Sequence, residues 1–295
     1  MDKTYEQLLE ENLQLAADNE RLKDEYNKLG QMYDELSLSY EDALLLYDRA
    51  KEQLRIENEL RIARDIQMSM VPGVFPKRDG LDMYAEMTPA KEVGGDLYGY
   101  VMQGDKLYFC VGDVSGKGVP ASLFMAQATR LFRTLAAQGM MPAEICTHMN
   151  DSLTDGNVTR MFTTFFLGLV DLKTGHFDFC NCGHNIPIIG DAEGHTDLLK
   201  MTTNLPIGTM PKFQFMGETV DCIKGKTLFI YTDGLVEAEN KEYEQFGKDR
   251  MLDILRTSCL ETARQLIETM TSEVKKHRNG EEPNDDLTMM YLKIK

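Results

Sequence analysis

The chain has 295 residues, 42% of them hydrophobic, and a formal net charge of −16 at pH 7. Nucleic acids and anionic membranes attract proteins with clustered Lys and Arg, so this acidic balance excludes both as the main partner. The first residues lack the basic and apolar regions of a signal peptide, and the longest apolar stretch, Met161 to Val170, is too short to span a bilayer. We therefore expect a cytoplasmic protein.

Leucine recurs at every seventh position in the first part of the chain. The series is Leu8, Leu15, Leu22, Leu29 and Leu36. This spacing is typical of a coiled coil, and no proline interrupts it before Pro72. Asn12 and Asn19 fall at the second core position, where an asparagine is best satisfied by its own copy across a parallel two-stranded interface. We predict that residues 1–66 form a parallel homodimeric coiled coil with a regulatory role, rather than a helix packed on its own domain.

The remaining residues, 67–295, are predicted to form one globular domain of short apolar strands and paired helices, separated by glycine-containing and aspartate-containing turns. The predicted strands are Leu81–Thr88, Leu97–Met102, Leu107–Val114, Phe162–Asp171, His176–Cys182, Pro187–Gly190, Phe213–Asp221, Thr227–Thr232 and Leu287–Ile294. The predicted helices are Pro120–Gln138, Pro142–Leu153 and two that start near Asp249 and Glu261. Runs of strands and pairs of helices favour an α+β fold, with antiparallel sheets flanked by helices.

Four aspartates stand at junctions between a strand and a loop, beside glycine or other small residues. They are Asp96, Asp113, Asp233 and Asp285. A carboxylate buried at a strand end is costly unless it is paired or bound to a metal, and glycine allows a ligand to approach the backbone closely. Oxygen ligands suit Mg²⁺ and Mn²⁺, and two such ions are a common device for activating water against a phosphate ester. Taken singly, each aspartate is typical of an ordinary turn.

Seven short motifs follow one another in order along residues 62–294. They are Ala63-Arg64-Asp65-Ile66-Gln67 with Val71-Pro72, Glu92-Val93-Gly94-Gly95-Asp96-Leu97-Tyr98, Gly112 to Ala121, Cys182-Gly183-His184-Asn185, Leu205-Pro206-Ile207-Gly208, Tyr231 to Ala238, and Asp285-Asp286-Leu287-Thr288. Together they resemble the PPM (type 2C) metal-dependent phosphatase family, in its bacterial SpoIIE/RsbU-like branch. The resemblance implies an αββα fold, an antiparallel β-sandwich flanked by helices, with a two-metal site at one edge.

The resemblance also implies a role for each candidate ligand. Asp113 would bridge two divalent cations, Mn²⁺ or Mg²⁺, and the carbonyl of Val114 would help to hold the second one. Asp96 would serve that second ion directly or through water, and Asp233 and Asp285 would hold the first. Water between the cations would then attack phosphorus in line and release the serine or threonine hydroxyl, without a covalent phosphoenzyme.

Three functions remain open. The first is an active serine/threonine phosphatase whose substrate, by the resemblance, is an anti-anti-sigma (STAS-domain) protein of a bacterial partner-switching pathway. The second is a catalytically silent scaffold or sensor-output module, which the presence of all four aspartates disfavours. The third is another two-metal hydrolase such as a phosphodiesterase, which the ordered motifs disfavour. The sequence also leaves open whether Asp286 joins the metal ligands.

Several reactive side chains are interpreted as structural. Lys117 stands in a glycine loop, where the related branch often has His, and is read as a solvated cation outside the site. A second set falls on alternate residues of one predicted strand, namely His176, Asp178, Cys180, Cys182 and His184. Same-face neighbours on a strand are about 6.6 Å apart along its axis, which we take as too far for them to chelate a single ion. The six cysteines, Cys259 among them, are expected to be mostly buried thiols without a disulfide framework.

Overall fold

The computed structural model describes residues 4–258 and 261–295, so Cys259 lies outside the described residues. The chain divides into two compact units, Met1–Glu59 and Leu60–Lys295. Within the described part of the chain, no helix has both the length and the apolar character needed to cross a lipid bilayer.

A single helix, α1 (Tyr5–Met70), runs through the described part of the first unit from Tyr5 onward and includes the first residues of the second. It ends just before Pro72, as expected because proline disfavours helical conformation in the residue before it and lacks a backbone N–H. The five leucines of the heptad series are 46% to 68% exposed along α1. In the described part of the chain, this apolar row of α1 is exposed.

The second unit contains two sheets of five strands. The strands are β1 (Leu81–Thr88), β2 (Leu97–Gln103), β3 (Lys106–Val114), β4 (Thr163–Asp171), β5 (Phe177–Cys182), β6 (Ile188–Asp191), β7 (Thr196–Leu198), β8 (Glu218–Val220), β9 (Lys226–Tyr231) and β10 (Leu287–Ile294). The first sheet has the order β1-β10-β9-β6-β7 and the second has the order β2-β3-β4-β5-β8. Every neighbouring pair in both sheets is antiparallel.

Helices cover the outer face of each sheet. They are α2 (Val119–Ala136), α3 (Pro142–Thr154), α4 (Asp233–Val236), α5 (Lys248–Thr257) and α6 (Ala263–Arg278). Helices α2 and α3 pack on the second sheet, and α6 packs on β1 and β10 of the first. Alternate residues of β9 face opposite layers: Leu228 and Ile230 belong to the core between the sheets, whereas Phe229 and Tyr231 pack with α5 and α6. These four layers confirm the predicted αββα fold.

One predicted strand is wrong over most of its length. Of Phe213–Asp221, only Glu218–Val220 forms a strand, β8. The backbone N–H of Met216 donates instead to the side-chain oxygen of Asn204 at 2.9 Å. The ring of Phe213 packs edge-on against Phe215 with 4.9 Å between the ring centroids. Local side-chain contacts therefore hold this segment, although its alternating apolar pattern resembles that of a strand.

Two short elements have no counterpart in the sequence-based prediction, namely β7 and α4. Segments of three or four residues are too short to show a hydrophobic period. The position of α4 matters for function because Asp233 is its first residue, directly after β9 and Thr232.

Candidate metal centre

The four aspartates lie at the edge where strand ends of the two sheets approach each other. Asp96 directly precedes β2 and Asp113 is the next-to-last residue of β3, both in the second sheet. Asp233 follows β9 and Asp285 lies two residues before β10, both in the first sheet. Because β10 contacts both β2 and β3, the ends of these strands bring the carboxylates into one acidic group.

Asp96 is the most deeply buried member of this group, with 1% of its surface exposed. Its Oδ2 accepts a hydrogen bond from the hydroxyl of Thr232 at 2.8 Å. Burial raises the pKa of Asp96 well above its usual value, and the charges of Asp113 and Asp286 raise it further. Thr232 therefore links the two sheets at the acidic group, a role that sequence reasoning missed although the residue stands within a quoted motif.

Asp113 is half-buried at the centre of the group. Burial, followed by the charges of Asp233, Asp285 and Asp286, raises its pKa to about 7. A hydrogen bond with Asp96 offsets part of this effect. At neutral pH, Asp113 thus requires a proton or a cation to offset the surrounding negative charge.

Asp286 braces the loop that carries Asp96. Its Oδ1 accepts from the backbone N–H of Ala90 at 2.8 Å, and its Oδ2 accepts from that of Gly95 at 2.7 Å. A side chain at Gly94 would overlap the Asp286 carboxylate, so glycine is required there. Charge-assisted hydrogen bonds of this kind fix the loop and occupy both Asp286 oxygens.

The carbonyl of Val114 lies directly against the same loop. A Cβ atom added to Gly95 would be 2.8 Å from the Val114 oxygen, closer than ordinary packing allows. The end of β3 is held in place by the hydroxyl of Thr163, which donates to the Asp113 carbonyl at 3.0 Å. The backbone at Asp113 and Val114 is therefore fixed from both sides.

Lys117 belongs to the acidic group, so its interpretation as a solvated cation outside the site is wrong. Its Nζ donates to Asp285 Oδ2 at 2.8 Å and to the carbonyl of Asn284 at 2.6 Å. The flanking Gly116 and Gly118 have φ values of 89° and 73°, a region that favours glycine. These backbone angles turn the loop back toward the acids, which spacing along the sequence could not reveal.

Gln67, near the end of α1, makes two hydrogen bonds to the loop that carries Asp96, one through its amide nitrogen and one through its amide oxygen. Its Nε2 donates to the carbonyl of Gly94 at 2.6 Å, and its Oε1 accepts from the Gly94 N–H at 3.1 Å. The side chain is 4% exposed. The last turns of α1 are thereby hydrogen-bonded to the backbone two residues before Asp96.

His184 lies two residues after β5. It is buried, its Nδ1 lies 2.9 Å from the hydroxyl of Thr164, and burial lowers its pKa to about 4, so the ring is neutral at pH 7. His176 lies on the surface, 3.3 Å from Asp178. The sulfurs of Cys180 and Cys182, however, are only 3.8 Å apart. The distance argument against chelation is therefore wrong for this pair, because the side chains converge although their Cα atoms do not.

The donor set of the acidic group fits hard divalent cations, since every candidate ligand is an oxygen and the negative charges oppose one another. Among the residues that the structure describes, no three of these carboxylates bring their oxygens within 4.8 Å of one another all at once. Repulsion between like charges favours such a spacing. A second acidic cluster, Asp191 with Glu193 and His195, is surface-exposed and lies near Lys226.

The architecture of two antiparallel sheets flanked by helices is that of the PP2C phosphatase domains. The SiaA PP2C domain of Pseudomonas aeruginosa superposes with a TM-score of 0.73 at 22% sequence identity, covering 82% of this chain and 98% of that domain. RsbX, in a structure with magnesium, gives a TM-score of 0.57 at 17% identity, covering 75% of this chain and 98% of RsbX.

Residues 103–295 match the family model of Stage II sporulation protein E (SpoIIE), and the chain belongs to this family. Protein IcfG of Synechocystis is 29% identical, over 79% of this chain and 41% of IcfG. RsbU of Bacillus subtilis, named a phosphoserine phosphatase, is 22% identical over 82% of this chain and 72% of RsbU. The chain thus spans less than half the length of IcfG.

Replacing Gln67 with Ala is expected to weaken the acidic group. The change leaves a buried N–H and carbonyl of Gly94 without partners, which costs about 1–3 kcal/mol of unfolding free energy. We expect Mn²⁺ affinity to fall about 10-fold because the loop of Asp96 loosens. Calorimetric titration and chemical denaturation measure both effects. Gln53→Ala, on the exposed surface of α1, is the control; equal Mn²⁺ affinity in the two variants would contradict a positioning role for Gln67.

Replacing Asp113 with Asn is expected to stabilise the metal-free chain. The folded-state pKa of Asp113, about 7, lies above the unfolded value of about 3.9, so the native state binds more protons between these values. The free energy of unfolding of the wild type therefore falls as pH rises through this window. The Asn variant has no ionisable group at position 113, so its stability does not fall for this reason. We expect Asp113→Asn to gain about 1 kcal/mol relative to wild type at pH 8, and no gain below pH 4.

Urea denaturation in the presence of chelator, at both pH values, tests this expectation. The exposed Asp221 offers a control, since Asp221→Asn changes an aspartate outside the acidic group. If Asp113→Asn and Asp221→Asn show the same pH dependence as wild type, the carboxylates do not repel one another as described.

Proposed function

We propose that this chain is a metal-dependent protein serine/threonine phosphatase that hydrolyses phosphoserine or phosphothreonine on a regulatory protein. The observation that carries the proposal is the group of carboxylates at one edge of the fold, where burial and then the neighbouring charges raise the pKa of Asp113 to about 7. Such a group favours the binding of divalent cations. Membership in the SpoIIE family and similarity to RsbU, a named phosphoserine phosphatase, support the reaction class.

In this proposal, Asp113, Asp96 and the Val114 carbonyl would hold one divalent cation, and Asp113, Asp233 and Asp285 would hold another. Mg²⁺ or Mn²⁺ held by these residues would supply an activated water and offset charge on a phosphoryl group. The all-oxygen donor set supports these ions, as does the magnesium bound to RsbX, a protein of the same fold.

The chain's own residues position the ligands. Thr232 orients Asp96 by donating to its Oδ2, and both Asp286 oxygens accept from backbone N–H groups, which supports a bracing role for Asp286 in this proposal. Lys117 has a side chain that is 46% exposed at the rim of the group. There its ammonium can attract the dianionic phosphate as a point charge.

We propose residues 1–66 as a dimerising and regulatory coiled coil, and residues 67–295 as the phosphatase domain. The exposed heptad leucines support a parallel dimer, because two copies of α1 would cover each other's apolar rows. The SpoIIE/RsbU resemblance supports an anti-anti-sigma protein of the STAS type as substrate.

A catalytically silent scaffold of the same fold is the alternative function. A scaffold that performs no catalysis gains nothing from carboxylates placed close together, and burying such charges costs folding free energy. In this chain all four aspartates stand at one edge of the fold. An active enzyme therefore accounts better for the acidic group than a scaffold does.

Phosphate release from a phosphoserine protein and from p-nitrophenyl phosphate tests the activity. We expect turnover with Mn²⁺ or Mg²⁺ and none with chelator, because the carboxylates bind phosphate only through cations. Asp113→Asn should lower the rate by at least about 100-fold, while Asp221→Asn should leave it unchanged. Metal binding without turnover would favour the silent scaffold, and cleavage of cyclic dinucleotides alone would favour a phosphodiesterase.

Replacing both Asn12 and Asn19 with Val is expected to change the assembly of the coiled coil. Asparagine at these core positions favours a two-stranded parallel register at the cost of stability, and valine removes that preference. Analytical ultracentrifugation should show one dimeric species for wild type and for the control Asn58→Val, and the double variant should differ from both in its oligomeric state or, by disulfide cross-linking, in its register. If wild type is a monomer, the proposed coiled coil is wrong.

A further inference from the structure

Three cysteine thiols meet in the core between helix α3 and strand β5 of the second sheet. Cys146 comes from α3, and Cys180 and Cys182 come from β5. Their sulfur atoms all lie within 4.8 Å of one another, and the Cys180 and Cys182 sulfurs are 3.8 Å apart. Each residue is at most 1% exposed. Two separate elements therefore direct three potential ligands at one point.

Burial alone does not produce this convergence. Cys110 on β3 is also fully buried, yet its sulfur does not belong to the group. Free cysteine in a core usually behaves as a small apolar side chain, which requires no particular partner. In this group, by contrast, the thiols act on one another as hydrogen-bonding partners.

Polar contacts mark Cys180 as the centre of the group. The side-chain amide of Asn204, itself buried, donates to Cys180 Sγ at 3.6 Å, and the Cys180 thiol donates to the carbonyl oxygen of Met216 at 3.4 Å. Metal ions bind the thiolate form of cysteine, so the thiol protons would be released when a cation binds.

The spacing of the sulfurs matches that of thiolates around a single soft cation. A Zn–S bond of about 2.3 Å in tetrahedral geometry separates neighbouring sulfurs by about 3.8 Å. This agrees with the 3.8 Å between Cys180 and Cys182, and Cys146 lies within 4.8 Å of both. Thiolates select Zn²⁺ and Cu⁺ over the hard cations that suit carboxylates.

We propose that Cys146, Cys180 and Cys182 form a structural binding site for one thiophilic cation of the Zn²⁺ or Cu⁺ class, separate from the acidic group. Binding replaces thiol protons, which pass to solvent, and joins α3 to β5 through the cation. Because the sulfurs are buried, the cation enters while the chain folds and leaves only when the core opens. The site would thus stabilise the packing of α3 on the second sheet, which contains β3 and β4, and would not take part in the reaction.

The test uses the full chain, produced in cells grown with added zinc or with added copper. Purification in chelator strips hard cations from exposed carboxylates but should leave one equivalent of the buried soft cation, measured by elemental mass spectrometry. Unfolding in denaturant with chelator should release it. The two growth conditions show which cation the site takes, and a chain that retains neither cation from either culture overturns the proposal.

Variants and spectroscopy locate the retained cation. Cys180→Ala should lose it, whereas Cys110→Ala, equally buried but outside the group, should keep it. X-ray absorption at the metal edge of the wild type should show three sulfur neighbours at about 2.3 Å for zinc. This measurement decides the question even if Cys180→Ala fails to fold: neighbours that are only oxygen or nitrogen would overturn the proposal.

Discussion

Carboxylates of like charge are held together where strand ends of the two sheets meet, and their repulsion is the constraint on which the surrounding structure depends. Burial and neighbouring charge raise the pKa of Asp113 to about 7 and that of Asp96 well above its usual value. Around them, Thr232, Asp286 and Gln67 each hold one part of the group through hydrogen bonds. The fold keeps the acids in place even though their charges oppose this arrangement.

Such an arrangement explains why the backbone near the acids is so tightly specified. Gly94 and Gly95 admit no larger side chain, since Asp286 and the Val114 carbonyl occupy the space that a Cβ would take. The ammonium of Lys117 supplies one positive charge beside Asp285 but leaves the buried acids uncompensated. Divalent cations would offset the remaining charge, so the residues that stabilise the fold locally are also those that prepare the proposed reaction.

Much of this could be predicted from the sequence, because alternation of apolar residues places strands and because the four aspartates stand at strand ends within ordered motifs. The rest depends on tertiary structure. Lys117 reaches the acids because Gly116 and Gly118 turn its loop back toward them. The side chain of Asp286 accepts hydrogen bonds from the backbone of the loop before β2, a contact between residues far apart in the sequence. The meeting of Cys146 with β5 is equally invisible, since it depends on how α3 packs. For residues 213–217 the sequence predicted too much: apolar residues alternate there, but the segment does not form a strand.

Diffraction from crystals of the full chain grown with Mn²⁺, recorded at the manganese edge, tests the proposed metal centre most directly. We expect two anomalous peaks, one among Asp113, Asp96 and the Val114 carbonyl and one among Asp113, Asp233 and Asp285, with the Lys117 ammonium displaced from Asp285. Asp286 should keep its bonds to the backbone. No peak at the acidic group, with Lys117 still bound to Asp285 at saturating Mn²⁺, would contradict a divalent-cation centre in this protein.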